Sequence, residues 1–171
     1  MKGNTLDLLH GFLGALDHEA EIIDAYRTKN IAPCIDCRYC WSSPGCSIKD
    51  GMQEIYRKTA EADLIVFASP VYFHTVPGPL KIIIDRMQTY WAGRIRGDKP
   101  ETLTKKGILL LTGGAPSFPD QFTGAELVLK GVLKDAGAEL SGIVTAHSTD
   151  SIPVSASPEV LQSARKLAEL V

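Results

Sequence analysis

Residues 62–87 read ADLIVFASPVYFHTVPGPLKIIIDRM. Within them DLIVFASP (63–70) is an unbroken apolar run ending at Pro70, the pattern of a strand buried on both faces of a parallel sheet. GPLKIIIDRMQTYW (78–91) then reads as a helix with Pro77 and Pro79 at its opening, where a proline's missing amide costs nothing. Moving outward, GILLLTGG (107–114) and ELSGIVTAH (139–147) read as further strands. Residues 5–16 carry apolar side chains at helical spacing, and Asp50 is placed to cap a helix over 52–60. A helix over 121–136 is stopped by Gly137, and Pro158 opens a last helix running to the C-terminus. AEIIDA (20–25) is a short strand candidate. Strands alternating with helices predict an α/β fold, a doubly wound parallel sheet with helices on both faces. A single domain over 1–171, with a cysteine-rich loop at 34–46, is expected from the length.

Apolar residues make up 44% of the chain and charged residues 22%, which excludes disordered and fibrous classes. The formal net charge of -2 provides no basic field for nucleic acid or an anionic membrane. No apolar run reaches the ~18 residues of a membrane helix. Asp7 interrupts the apolar N-terminal stretch, which reads as an amphipathic helix start and not as a signal peptide. The expected location is therefore the cytoplasm, where thiols stay reduced.

Two features carry chemistry. In a doubly wound sheet, ligands sit beyond the carboxyl ends of the strands. The loops there are SPVYFHTVPG (69–78) and TGGAPSFPDQ (112–121), rich in Gly, Pro and aromatics. Such loops suit a planar cofactor held by backbone amides. The second feature is CIDCRYCWSSPGC (34–46), which contains all four cysteines of the chain at spacing C-x2-C-x2-C-x5-C. Overlapped C-x2-C pairs in one tight loop are used by iron–sulfur proteins. Structural zinc, which more often takes two well-separated pairs, and idle or redox thiols are the other readings. Lys81 and Asp85, four apart, read as a helix ion pair. His74 is a candidate proton donor beside the first loop, whereas His10, His18 and His147 have no ligand-like neighbours. Tyr90 and Trp91 are expected to cover the cofactor or sit in a subunit interface.

The stretch 62–87 resembles the signature of the flavodoxin-like NAD(P)H-dependent FMN reductase superfamily. The cysteine loop followed by SIKDGMQEIYRK (47–58) resembles its iron–sulfur flavoprotein branch. The resemblance spans residues 3–143 and is more specific at 70–86 than in the cysteine motif. It implies FMN in a flavodoxin fold, with Ser69, Pro70, Val71, Tyr72 and Phe73 against the isoalloxazine ring. It implies Thr112, Gly113 and Gly114 against ring or ribityl, and Asn4 and Thr5 at the end of a phosphate loop. It also implies a 4Fe-4S cluster on Cys34, Cys37, Cys40 and Cys46. The function so implied is electron transfer between FMN and the cluster, in a homo-oligomer (dimer or tetramer), with ferredoxin or NAD(P)H as electron partner. Two alternatives are a plain NAD(P)H-dependent FMN or quinone reductase without a cluster, and a non-catalytic truncated flavodoxin-like protein.

The sequence departs from that family at its start. Relatives open with a strand and a loop of the form G-S-P-R-x-x-G-N-T, whereas this sequence opens with MKGNT (1–5). The first strand lies inside the sheet in the order 2-1-3-4-5. Its absence is expected to leave backbone groups unpaired and to remove phosphate donors. Met1 is accordingly expected to be an internal methionine of a longer protein.

Overall fold

The computed structural model describes residues 3–98 and 102–171, so Met1 and the expectation attached to it lie outside the described residues. Three parallel strands form the sheet, in the order β1 (Leu64–Pro70), β2 (Lys105–Thr112), β3 (Ala138–Ala146). The β1–β2 register runs from Leu64 opposite Lys106 to Pro70 opposite Thr112. The β2–β3 register slips once, between Gly107 and Ile108. Helices cover both faces: α1 (Asn4–Leu13), α2 (Tyr39–Ser42), α3 (Met52–Glu61), α4 (Gly78–Arg86), α5 (Gln88–Arg96), α6 (Thr123–Asp135) and α7 (Pro158–Ala168). This is the doubly wound arrangement that the alternation predicts, and it agrees with the flavodoxin-like fold that the resemblance implies.

β2 shows why the sheet needs two helical layers. Side chains alternate faces along a strand, and Ile108 to Leu111 are all fully buried. Ile108 and Leu110 pack with Leu8 and Phe12 of α1 and Ala164 of α7. Leu109 and Leu111 pack with Ile84 of α4 and Leu129 and Leu133 of α6. A third cluster joins Met52 and Ile55 of α3 to Ile83, Met87 and Tyr90.

The structure corrects four expectations. Residues 20–25 form no strand: Asp24 instead organises a turn, its carboxylate accepting from Tyr26 N–H and its carbonyl from Arg27 and Thr28 N–H. Among the described residues no strand lies beside that segment, so nothing pairs with its backbone. For the same reason β1 is half-buried along most of its length, because no strand among the described residues pairs with its outer edge. The helix expected over 78–91 is two helices, α4 and α5, meeting at Met87 and extending to Arg96. The last helix stops at Ala168, short of the C-terminus. The Gly137 stop is as expected, with φ of 82°.

Candidate functional site

The carboxyl edge of the sheet gathers the first set of expected residues. Val71 N–H donates to Thr112 O (2.8 Å), fastening the loop after β1 to the end of β2. Tyr72 and Thr75 exchange both backbone hydrogen bonds (2.9 and 3.1 Å) around Phe73 and His74, whose φ values are 49° and 63°. Two successive left-handed residues make this the tight turn that normally selects Asn-Gly. Phe73 is 100% exposed and Tyr72 about half exposed. The amides of Val71 and Tyr72 are thus engaged. Among the described residues, those of Phe73 and His74 have no backbone partner. Behind the turn, Gly124 fits because any Cβ there would overlap His74 O.

Thr5 Oγ1 lies 2.6 Å from Thr112 Oγ1, bringing the start of α1 to the end of β2. The Asn4 side chain is already used: Nδ2 donates to Thr149 O (3.1 Å) and Oδ1 accepts from Val154 N–H (2.9 Å). It ties α1 to the 149–154 loop, so only its backbone is available to an anion. Thr149 donates through both Oγ1 and N–H to Gly113 O (3.1 Å each). A Cβ at Gly113 would lie 2.7 Å from Gln121 Nε2, and one at Gly114 would overlap the Asp150 carboxylate. Ser69 is buried, its hydroxyl donating to Pro70 O (2.8 Å). The ten expected residues therefore meet on one rim through their backbones, with side chains largely spent on holding the rim together. Gln121, buried with its Oε1 unpartnered, stands beside them and was not singled out in the sequence. Closely approached glycines, amides without a backbone partner among the described residues and an exposed aromatic suit a flat cofactor such as FMN.

The second set forms a separate recess. Cys34, Cys37, Cys40 and Cys46 all line it, together with Trp41, Ser47 and Arg86. All four thiols are free. Among the described residues, no three His, Cys, Asp or Glu side chains converge as a single metal ion requires. A tetrahedral ion at about 2.3 Å from each sulfur needs tighter convergence than a cuboidal cluster, which presents a separate iron to each cysteine. A four-thiol donor set around one recess fits such a cluster.

Electrostatics distinguish the four sulfurs. Ser47 Oγ, 3.1 Å from Cys37 Sγ, and the backbone N–H of Tyr39 hold the Cys37 thiol below its usual pKa. Burial, followed by the charges of Cys34, Cys46 and Cys37, pushes Cys40 up. Asp36 and Arg38 flank Cys37 with φ of 47° and 59°, so the loop is held in a strained, curled path.

The residue that the sequence did not single out here is Arg86. It is only 2% exposed and lines the recess. Its NH1 donates to Ala32 O (2.8 Å) and Asp50 Oδ2 (2.7 Å), its NH2 to Ile48 O (3.2 Å) and Asp50 Oδ1 (3.1 Å). Burial alone would raise the Asp50 carboxyl, but hydrogen bonds from Arg86, Ala32 N–H and Met52 N–H outweigh it and hold the pKa below its usual value. Asp50 thus caps the start of α3, as its position suggested, and pairs with Arg86 besides. The Lys81–Asp85 pair forms as expected (2.6 Å). Tyr90 and Trp91 are placed by aromatic contacts within the chain. Tyr90 is buried, ring to ring with Tyr56 at 5.9 Å, and Trp91 meets Trp41 of the cysteine loop at 5.2 Å. Trp91 thus lies against the cysteine loop, and Tyr90 against α3.

Comparison with known proteins identifies the family. The model of the NADPH-dependent FMN reductase family matches residues 1–119. The chain belongs to that family. Curated proteins similar to it carry the name iron-sulfur flavoprotein. It is 40% identical over 88 residues to an iron-sulfur flavoprotein of Methanocaldococcus jannaschii, covering 50% of this chain and 45% of that one. It is 34% identical over 107 residues to an iron-sulfur flavoprotein of Archaeoglobus fulgidus, covering 63% and 50%. This FMN reductase family member thus spans about half the length of the curated relatives it matches. Among solved structures, the NAD(P)H:quinone oxidoreductase from Methanothermobacter marburgensis superposes with a TM-score of 0.68 over 98% of this chain and 88% of that one. At 19% identity, that match speaks for the fold.

Proposed function

We propose that this chain is a flavin-dependent oxidoreductase of iron–sulfur flavoprotein type. It would bind FMN at the rim formed by 69–73, 112–114 and the start of α1, and a 4Fe-4S cluster on Cys34, Cys37, Cys40 and Cys46. The observation that carries the reading is that all four cysteines line one recess in a member of an FMN reductase family. FMN exchanges electrons singly or in pairs and a 4Fe-4S cluster exchanges them singly, so together they join two-electron to one-electron partners.

The chain's own contribution is positioning and electrostatics. The Phe73 and His74 amides, without a backbone partner among the described residues, are the donors that would meet negative charge on the flavin edge. Phe73 and Tyr72 supply flat apolar surface. Ser47 Oγ beside Cys37 and the Arg86 guanidinium behind the loop favour anionic sulfur. α4 begins at the flavin rim and ends at the cysteine recess, so eight residue steps, ~12 Å of helix, join the two sites. NAD(P)H or a ferredoxin-like carrier is the electron partner, and the protein assembles as a homo-oligomer in the cytoplasm. No helix among the described residues is long and apolar enough to cross a membrane.

The direct test is to titrate FMN with the protein and follow flavin fluorescence, with iron and acid-labile sulfide counted in the same anaerobic sample. Saturable quenching with about four iron and four sulfide per chain is the expected result. Quenching without iron would leave the plain reductase, and no quenching would leave the non-catalytic reading.

A further inference from the structure

We propose that Arg86 is the positioning residue of the cysteine recess, joining the two ends of the loop into a frame that exists before any cluster is bound. The proposal rests on the reading of that recess as the cluster site. Three observations carry it.

The guanidinium bridges the segment that enters the cysteine loop and the segment that leaves it. It donates to Ala32 O on one side and to Ile48 O and Asp50 on the other, bracketing all four cysteines. Asp50 completes the frame, because its Oδ2 also accepts from Ala32 N–H (2.9 Å), and Gly51 N–H donates to Asn30 O (2.9 Å) beside it. The loop is therefore closed at its base by hydrogen bonds that use no cysteine. A planar five-donor fork can hold several acceptors in fixed geometry, and a lysine ammonium cannot reproduce that span.

Arg86 also keeps one donor in reserve. Its Nε is buried and, among the described residues, has no hydrogen-bond partner. A buried unpartnered donor is costly and needs a reason. Here it belongs to a side chain that lines the same recess as four thiols, where an anionic sulfur would satisfy it.

The remaining cations point the same way. Arg96 donates to Cys40 O, and Lys49 Nζ donates to Cys46 O (3.0 Å). Positive charge is thus aimed at the cysteine loop from α4, from α5 and from the segment leaving the loop, with Arg86 the one that is buried. A cluster bearing thiolates carries net negative charge, and surrounding positive charge and donors set its stability and potential.

The test compares the wild-type chain with Arg86→Lys, which keeps the charge and loses the fork, by amide hydrogen exchange of the iron-free protein. The proposal expects exchange at Ile31, Ala32 and 48–51 to rise about tenfold, the scale of losing one charged hydrogen bond, while β2 stays as protected as in wild type. An unchanged loop overturns it. A rise shared equally with β2, or a variant that does not fold, also overturns it, because either makes Arg86 a general core residue. In the iron-loaded protein, a chelator is expected to strip iron about tenfold faster from Arg86→Lys, and equal rates overturn the proposal. Should the wild type take up no iron, the cluster reading of the function fails, and the exchange result alone decides the role of Arg86.

Discussion

Phe73 and His74 concentrate the tension between stability and function at the residue scale. Left-handed backbone costs a non-glycine residue roughly 1–2 kcal/mol, and here two such residues are adjacent. Phe73 recovers none of that through packing, since it is fully exposed. Phe73→Asn, which tolerates the turn, is expected to leave stability unchanged or raise it by up to about 1 kcal/mol. It should also weaken FMN binding by removing the flat surface. Denaturant melts and flavin titration check the two halves separately, and a destabilised variant would mean that the ring packs after all. Gly124 is a second sharp position. A Cβ there would strike His74 O, a backbone atom that cannot swing aside. Gly124→Ala is expected to cost about 1–3 kcal/mol, as overpacking does, read as a shift in urea midpoint. The motif at 69–73 was legible in the sequence. The way its amides divide into engaged and unpartnered was not, because that depends on a cross-loop bond from Val71 to Thr112 that sequence spacing does not encode.

At the scale of elements, hydrophobic pattern sufficed for β1, β2, β3, α1, α3, α6 and the start of α7, each a strong period bounded by Gly, Pro or a cap. It failed for 20–25, where Ile22 and Ile23 lie exposed between Glu21 and Asp24, so no buried face holds a strand. It also failed to foresee the break at Met87. Nor did it assign Tyr90 and Trp91, because a helix face shows periodicity and not the identity of the neighbour it meets. Tyr90 gives a pH prediction. Burial pushes its phenol up to about 12, and its hydroxyl donates to Tyr56 O (2.9 Å). The neutral phenol is the form the fold favours. Its contribution is therefore complete below the ordinary value near 10 and is lost as pH rises through about 12. Tyr90→Phe is expected to lower stability at pH 7 by about 1 kcal/mol. Its decline between about pH 10 and 12 should be shallower than that of wild type, as urea midpoints across that range would show. An identical alkaline slope would contradict the assignment.

In the whole molecule one sheet supports two places, the rim at the strand ends that we propose holds FMN and a cysteine recess at the far end of α4. The recess was visible in the sequence as a cluster of cysteines. Its frame was not, because Arg86 lies 54 positions along the chain from Ala32 and 38 from Ile48, and only folding brings them together. Cys34→Ser, Cys37→Ser, Cys40→Ser and Cys46→Ser are each expected to reduce bound iron while leaving flavin binding intact, by metal assay and flavin fluorescence. Joint loss of iron and flavin would imply that the two sites are one. The measurement that tests the central claim most directly is the visible spectrum of the chain isolated and reduced without oxygen. The account predicts two flavin bands above a broad iron–thiolate absorbance, with both bleached on reduction. A flavin spectrum with no iron–thiolate absorbance, or a colourless protein, would contradict it.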